Sequence, residues 1–182
     1  MLLWGTPIPT GDVNGKKTYS SLLSASVKLG ELPNRRTEPD VILDFGSAGI
    51  VMIEVKHRSP NSISPIDYAN WPRYLKDTQL FHSPDEVRKI GLYELARNWR
   101  VTSEMARESP MALVNLGPAT LFLGSKGKAV EALAKVLNQN EHRKFIPTTW
   151  TQFLGSFEQP DWLRTYLTKR SIQTLQRAAK IV

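Results

Sequence analysis

The sequence predicts an α/β protein, and three observations carry that prediction. Residues 38–56 (EPDVILDFGSAGIVMIEVK) read as two short strands joined by a turn, with Val41, Leu43 and Phe45 alternating on the first and Val51, Ile53 and Val55 on the second. Residues 111–116 (MALVNL) form an unbroken apolar run, the pattern of a strand buried on both faces. Stretches of helical periodicity lie before, between and after these strands. The clearest opens at Ser83-Pro84-Asp85-Glu86, where Ser83 is the cap, Pro84 the first-turn proline and Glu86 completes a capping box.

The hairpin is the informative stretch. Side chains alternate faces along a strand. Asp40, Ile42 and Asp44 therefore share one face, as do Met52, Glu54 and Lys56, and the opposite face is apolar throughout. If the apolar faces coincide, paired residue numbers sum to an even value and Asp40 stands opposite Glu54 or Lys56. A four-residue loop pairing Phe45 with Ile50 would put Asp40 on the wrong side. An odd loop of three or five residues, or a bulge near Gly46 or Gly49, is expected instead.

Two carboxylates brought together on a strand pair make a hard oxygen site suited to Mg²⁺ or Mn²⁺, with the backbone carbonyl of Val55 available as a third ligand. A neighbouring lysine can orient or deprotonate an attacking water, or neutralise charge on a phosphate in the transition state. Pro39-Asp40 followed across a hairpin by Glu54-Val55-Lys56, with the flanking runs VILDF and IVMIEVK, resembles the PD-(D/E)XK motif of the restriction endonuclease-like nuclease superfamily. The resemblance implies a three-layer core with a mixed central β-sheet of four to five strands flanked by helices. It implies Asp40 and Glu54 as metal ligands, Lys56 as the water-activating residue, Mg²⁺ (or Mn²⁺) as cofactor, and a metal-dependent DNA nuclease, an endonuclease, as the activity. The alternative is a nuclease-like nucleic-acid-binding or assembly module without turnover. Many members carry a further Glu on the first helix, but residues 19–29 contain no acid; Glu31 or Glu38 is the substitute on offer. Members also place a polar residue on the helix after the motif strand, for which Gln79, Glu94 and Arg97 are candidates. Asp44 lies on the motif face but nearer the turn, and His57 falls on the opposite face from Lys56.

Composition agrees with a nucleic-acid partner. Lys+Arg number 24 against 17 Asp+Glu, giving a net charge of +7 and a pI near 9.7. Arg35, Arg36, Arg58 and Arg97 are the candidate DNA contacts, and a homodimer or larger nucleoprotein complex is an expected assembly. With 182 residues, 41% hydrophobic content and five Trp, a single domain spanning 1–182 is expected. The absence of Cys excludes disulfides, Cys-based zinc sites and a Cys nucleophile, and is compatible with a reducing cytoplasm, the expected location. No apolar run approaches the ~20 residues of a membrane span, and the apolar start is too short for a secretory signal. Neither a G-x-x-x-x-G-K-[ST] phosphate loop nor a G-x-S-x-G elbow is present.

In chain order, residues 1–17 read as an irregular arm, tucked in or continuous with a longer chain. A helix over 19–29 is capped by Thr18 or Ser20, with Tyr19, Leu22, Leu23, Ser26 and Val27 inward and Gly30 ending it. Residues 59–65 form a Ser/Pro/Asn loop suited to the mouth of a site. Tyr68, Trp71 and Tyr74 repeat at three-residue spacing, a core stripe first and a base-stacking platform second. The helix from Ser83 is expected to reach Arg107. A helix over 129–139, a short strand over 144–148, a helical turn over 150–157 and a basic C-terminal helix over 161–180 complete the chain.

Overall fold

Five residues, Phe45 to Gly49, separate the two strands of the hairpin, and three of them form a 3₁₀ turn at Gly46–Ala48. β2 (Val41–Asp44) runs antiparallel to β3 (Ile50–Val55) with Val41 opposite Ile53 and Asp44 opposite Ile50. Every pair sums to an even number, so the odd loop and the register both agree with the alternation in the sequence. The fold around the hairpin comes from a computed structural model, which describes residues 2–3, 11–57, 59–76, 79–162 and 164–165. The chain divides after Thr149 into two units, residues 1–149 and 150–182.

In the first unit the sheet order is β1-β2-β3-β4-β5. β1 (Leu2–Leu3) is a two-residue antiparallel edge on β2, whereas β4 (Met111–Gly117) and β5 (Arg143–Thr149) continue parallel from β3. The architecture is therefore α/β, a mixed open sheet flanked by helices. β4 lies between β3 and β5 and is buried, as its apolar run requires.

The helices decide which sheet face becomes the core. α1 (Val13–Lys28), α4 (Tyr93–Ala106) and α5 (Gly124–Val136) contribute Leu22, Ala25, Leu95, Trp99, Val130 and Leu133 to one cluster with Ile42, Met52, Leu113 and Phe145. Ile42 and Met52 share the parity of Asp40 and Glu54, and the parallel register puts Leu113 beside Met52 and Phe145 beside Leu113 on the same face. The carboxylate-bearing face is thus the covered one, although the alternation marks the opposite face as the apolar one. The other face is less enclosed, with Val41, Leu43, Val51 and Val55 partly exposed and Phe45 59% exposed. The reason lies in topology: α4 joins β3 to β4 and α5 joins β4 to β5, and crossovers of one hand stepping the same way lie on one face.

Local signals account for the element ends. The arm is shorter than 1–17 because Asp12 caps α1, its Oδ1 accepting from the Gly15 N–H at 2.8 Å. The inward stripe is accordingly Thr18, Leu22, Ala25 and Ser26, and Val27 is exposed. Pro72 lies in the first turn of α2 (Trp71–Leu75), where its missing N–H needs no helical partner. Ser83 caps α3 (Pro84–Ile90) as expected, but the helix stops at Gly91 and α4 starts afresh at Tyr93. Gly91 sits at φ 79°, and a Cβ there would lie 2.9 Å from both Ile63 Cγ2 and the Ser64 carbonyl oxygen. The left-handed cap at Gly91 ends the helix, and the loop packed beside it admits no side chain there. α5 begins at Gly124, five residues before the expected start. In the second unit α6 (Trp150–Gly155) is the expected helical turn. Most of the basic segment 161–180 lies outside the described residues, as does Arg58.

The turn is also locked to the next strand. Ile50 donates its N–H to the Pro110 carbonyl at 2.9 Å, and a Cβ on Gly49 (φ 131°) would lie 2.5 Å from that oxygen. At Gly46 (φ 64°) a Cβ would meet open space. Gly46→Ala should cost about 1–2 kcal/mol for its left-handed backbone. Gly49→Ala should cost more, because strain and collision add; equilibrium urea denaturation of the two variants measures the difference.

Candidate active site

Beyond Val41 the β2–β3 ladder is continued by a side chain. Asp40 Oδ2 accepts the Val55 N–H at 2.7 Å, which holds the aspartate beside the end of β3. Its Oδ1 has no donor among the described residues. One step along the observed register places Asp40 opposite Glu54. Lys56 follows at once, its N–H bonded to the Leu116 carbonyl at 2.7 Å, so its backbone extends β3 alongside β4. Asp40, Glu54 and Lys56 therefore meet at one corner of the sheet, on the covered face.

α4 completes the corner. Tyr93, its first residue, is held edge-on by Tyr68, Trp71 and Tyr74 at ring separations of 4.8, 5.1 and 5.6 Å. That clamp places Glu94, whose Oε2 accepts from Lys56 Nζ at 2.6 Å; the same ammonium lies 2.7 Å from Glu54 Oε1. Asn98, one turn further on, donates its Nδ2–H to Glu54 Oε2 at 2.8 Å. Both oxygens of Glu54 are thus engaged, and its rotamer is fixed from two elements.

Burial makes the electrostatics consequential. Glu54 is 5% exposed and Lys56 9%. Burial raises the Glu54 pKa above the usual carboxylate value, and the charges of Glu94 and Asp40 raise it further, against the opposing pull of Lys56. For Lys56 burial acts downward, but its bonds to Glu54 and Glu94 outweigh it and the pKa is raised. Lys56 is held as an ammonium ion: a fixed positive charge and hydrogen-bond donor, not a ready proton acceptor. Removing it is not silent for the fold either. Lys56→Ala would leave two close carboxylates uncompensated, and breaking a buried pair costs about 3–5 kcal/mol.

The remaining candidates separate cleanly. Glu31 is buried away from the corner, its carboxylate taken by the Thr37 N–H and hydroxyl and by the Tyr74 hydroxyl. Burial pushes its pKa up, yet those bonds prevail and leave it lowered. It fastens the chain ahead of Asp40. Asp44 caps the turn through the Gly46 N–H and accepts from Thr18. His57 is exposed. Gln79 lies at the other end of the sheet, where its carbonyl accepts from Asn138 and Arg143. Of the three helix candidates Glu94 joins the cluster directly, and Arg97 stands beside it at 3.9 Å. Arg35, Arg36 and Arg97 line one cleft next to the corner, whose other walls include Glu38 and Tyr93.

Two participants were not singled out by the sequence. Asn98 follows Glu94 by four residues and precedes Thr102 by four, so a polar stripe on α4 faces β3; Thr102 Oγ1 meets the Met52 sulfur at 3.3 Å. Asn115 is the register partner of Glu54 on β4 and exchanges hydrogen bonds with Asn61 at 2.9 and 3.3 Å. That amide pair pins the loop over residues 59–65 across the ends of the parallel strands. No protein-family model, curated protein or solved structure matches the chain.

The charge arrangement fixes the sign of one titration. Glu94→Gln removes a negative neighbour of Glu54 and leaves Lys56 to Glu54 alone. Both changes favour ionised Glu54, so its midpoint should move to lower pH. Carbon-detected NMR of labelled Glu side chains reads this directly, and an unchanged or raised midpoint contradicts the shared-ammonium geometry.

Proposed function

We propose that this chain is a metal-dependent DNA nuclease with a PD-(D/E)XK site, an endonuclease that hydrolyses phosphodiester bonds. The observation that carries the reading is the convergence of Asp40, Glu54 and Lys56 at the end of β3. The order of elements supports it: a helix, an antiparallel hairpin, then a crossover helix to an interior parallel strand follow the order that the motif implies.

The donor set fits a hard divalent cation. The donors are carboxylate and carbonyl oxygens, and Asp40 keeps one oxygen without a donor among the described residues. Those residues include no group of three acid or His side chains arranged as a metal cage. Mg²⁺ does not require one, since it retains several waters and is held by one or two carboxylates plus substrate phosphates. Asp40, Glu54 and the Val55 carbonyl would hold Mg²⁺ or Mn²⁺. Such an ion supplies Lewis-acid stabilisation of the phosphate and lowers the pKa of water. The chain's own groups supply the rest. Lys56, kept charged, stabilises negative charge growing on the phosphoryl oxygens and orients the nucleophile by donating hydrogen bonds. Glu94 positions that ammonium, and Asn98 fixes the Glu54 carboxylate.

One observation favours the alternative, a nuclease-like nucleic-acid-binding or assembly module without turnover: no first-helix acid reaches the corner, because the carboxylate of Glu31 is consumed by Thr37 and Tyr74. Asp40→Asn distinguishes the readings, since an amide oxygen can still accept from Val55 while the charge is lost. Wild-type protein should bind Mn²⁺ by calorimetry and cleave DNA. Asp40→Asn should do neither at an unchanged melting temperature, losing more activity than the roughly 10–100-fold typical of an outer metal-site partner. Equal cleavage by Asp40→Asn overturns the assignment, and absent Mn²⁺ binding in the wild type selects the alternative.

A further inference from the structure

Beside the acid corner lies a cleft of about 380 Å³ with the opposite charge. Four guanidiniums line it, those of Arg35, Arg36, Arg73 and Arg97, against the single carboxylate of Glu38. They come from three segments: the loop ahead of β2, α2, and the second turn of α4. On α3 and α4 cations are matched to acids, as in Lys89–Glu86 at 2.7 Å and Arg100–Glu104 at 2.7 Å. Arg35, Arg36 and Arg73 have no ion-pair partner among the described residues. The Nε of Arg36 is closed off from solvent and has no hydrogen-bond acceptor, a state that is costly unless something supplies one.

The cleft also has an aromatic wall. Tyr68 and Tyr93 line it, their rings meeting edge to face at 4.8 Å and 87°. Tyr93 is clamped in the core, but Tyr68 is 39% exposed, and Asn70 Nδ2 donates to its hydroxyl at 3.0 Å. A tethered, partly open ring beside three arginines that lack an ion-pair partner among the described residues is a surface on which a base can stack while its phosphates meet guanidiniums. A closed duplex offers phosphates but keeps its bases stacked on each other, so Tyr68 would contribute nothing to it.

We propose that this cleft is a single-strand site: it binds a segment of DNA whose base is unstacked, with phosphates on Arg35, Arg36 and Arg73 and the base against Tyr68. The inference rests on the nuclease reading for its substrate and sharpens it to single-stranded or frayed DNA. Arg97 joins the two places. It lines the cleft, stands 3.9 Å from Glu94, and donates from Nε to the oxygen of Asn98, which in turn holds Glu54. A strand seated in the cleft is therefore delivered beside Lys56.

The test measures binding apart from cleavage. A 3′-fluorescein DNA strand of about 12 nucleotides, within the roughly 4–16 that single-strand sites occupy, is titrated by anisotropy in EDTA, alone and as a blunt duplex. The single strand should bind at least about tenfold tighter. Tyr68→Leu, which keeps an apolar contact on Tyr93 but removes the stacking face, should lose most of that preference and leave duplex binding unchanged. Arg36→Gln and Arg73→Gln should each weaken single-strand binding and flatten its salt dependence by about 0.7 in logarithmic slope. Equal affinity for duplex and strand, or full strand affinity in all three variants at unchanged melting temperature, overturns the proposal. The two readings fail separately. Arginine-dependent strand binding without Asp40-dependent cleavage leaves the cleft standing and removes the nuclease. Asp40-dependent cleavage with no strand preference does the reverse.

Discussion

The ammonium of Lys56, shared between Glu54 on its own strand and Glu94 on the crossover helix, is the contact that ties the sheet corner to the helical layer. Neither partner of the buried pair is tolerable alone in that environment, because desolvation penalises an uncompensated charge by several kcal/mol. The tie constrains geometry in two directions. Along the strand it needs Glu54 and Lys56 on one face, which their spacing guarantees. Across the layers it needs α4 seated so that its first turn reaches β3. The aromatic clamp on Tyr93 and the Asn98–Glu54 bond provide that seating from either side of Glu94. The polar contacts at the corner reinforce one another, and the apolar core between Trp99, Met52 and Leu113 supports them from below.

What the amino-acid order disclosed was local. Alternation over residues 41–55 settled the even register and the odd loop, because a one-residue slip would have moved every side chain to the wrong face. The uninterrupted run in β4 disclosed a strand buried on both sides. Alternation could not tell which face the helices would cover, since that depends on the order of strands and the hand of their crossovers. The polar label on the Asp40–Glu54 face was therefore misleading. Ile42 and Met52 on that face are wholly buried, and the acids gather only where the strands end.

The helical region shows the same division. Ser83 and Pro84 announced a start, and Gly91 behind Arg88 and Lys89 is a local stop that the reading of one long helix passed over; what the local order could not show is that Ile63 and Ser64 leave no room for a side chain there. With one long helix in mind, Glu94 and Arg97 were equivalent choices. Once α4 begins at Tyr93, the i, i+4 relation of Glu94, Asn98 and Thr102 picks out the face turned to β3. The aromatic triplet divides too: Trp71 and Tyr74 are core, whereas Tyr68 stands at the rim. Arg73 carried no sequence signal, as its neighbours in the cleft lie far away along the chain.

Net charge by itself would distribute affinity for a polyanion over the whole surface. Here the corner and the cleft are instead adjacent regions of opposite sign. Asp40, Glu54 and Glu94 outnumber the single ammonium between them, so a bare phosphate approaching the corner is repelled unless a cation offsets the acids. In the cleft the balance is reversed, and a phosphate is drawn in without help. On the proposed reading, holding a strand and breaking it fall to different groups only a helical turn apart. Arg97, which touches both, keeps them in fixed relation. A charge change in the cleft should alter how tightly a strand is held, whereas one at the corner should alter whether the phosphate is tolerated there at all. That separation follows from where the sheet ends and α4 begins, not from the number of basic residues in the chain.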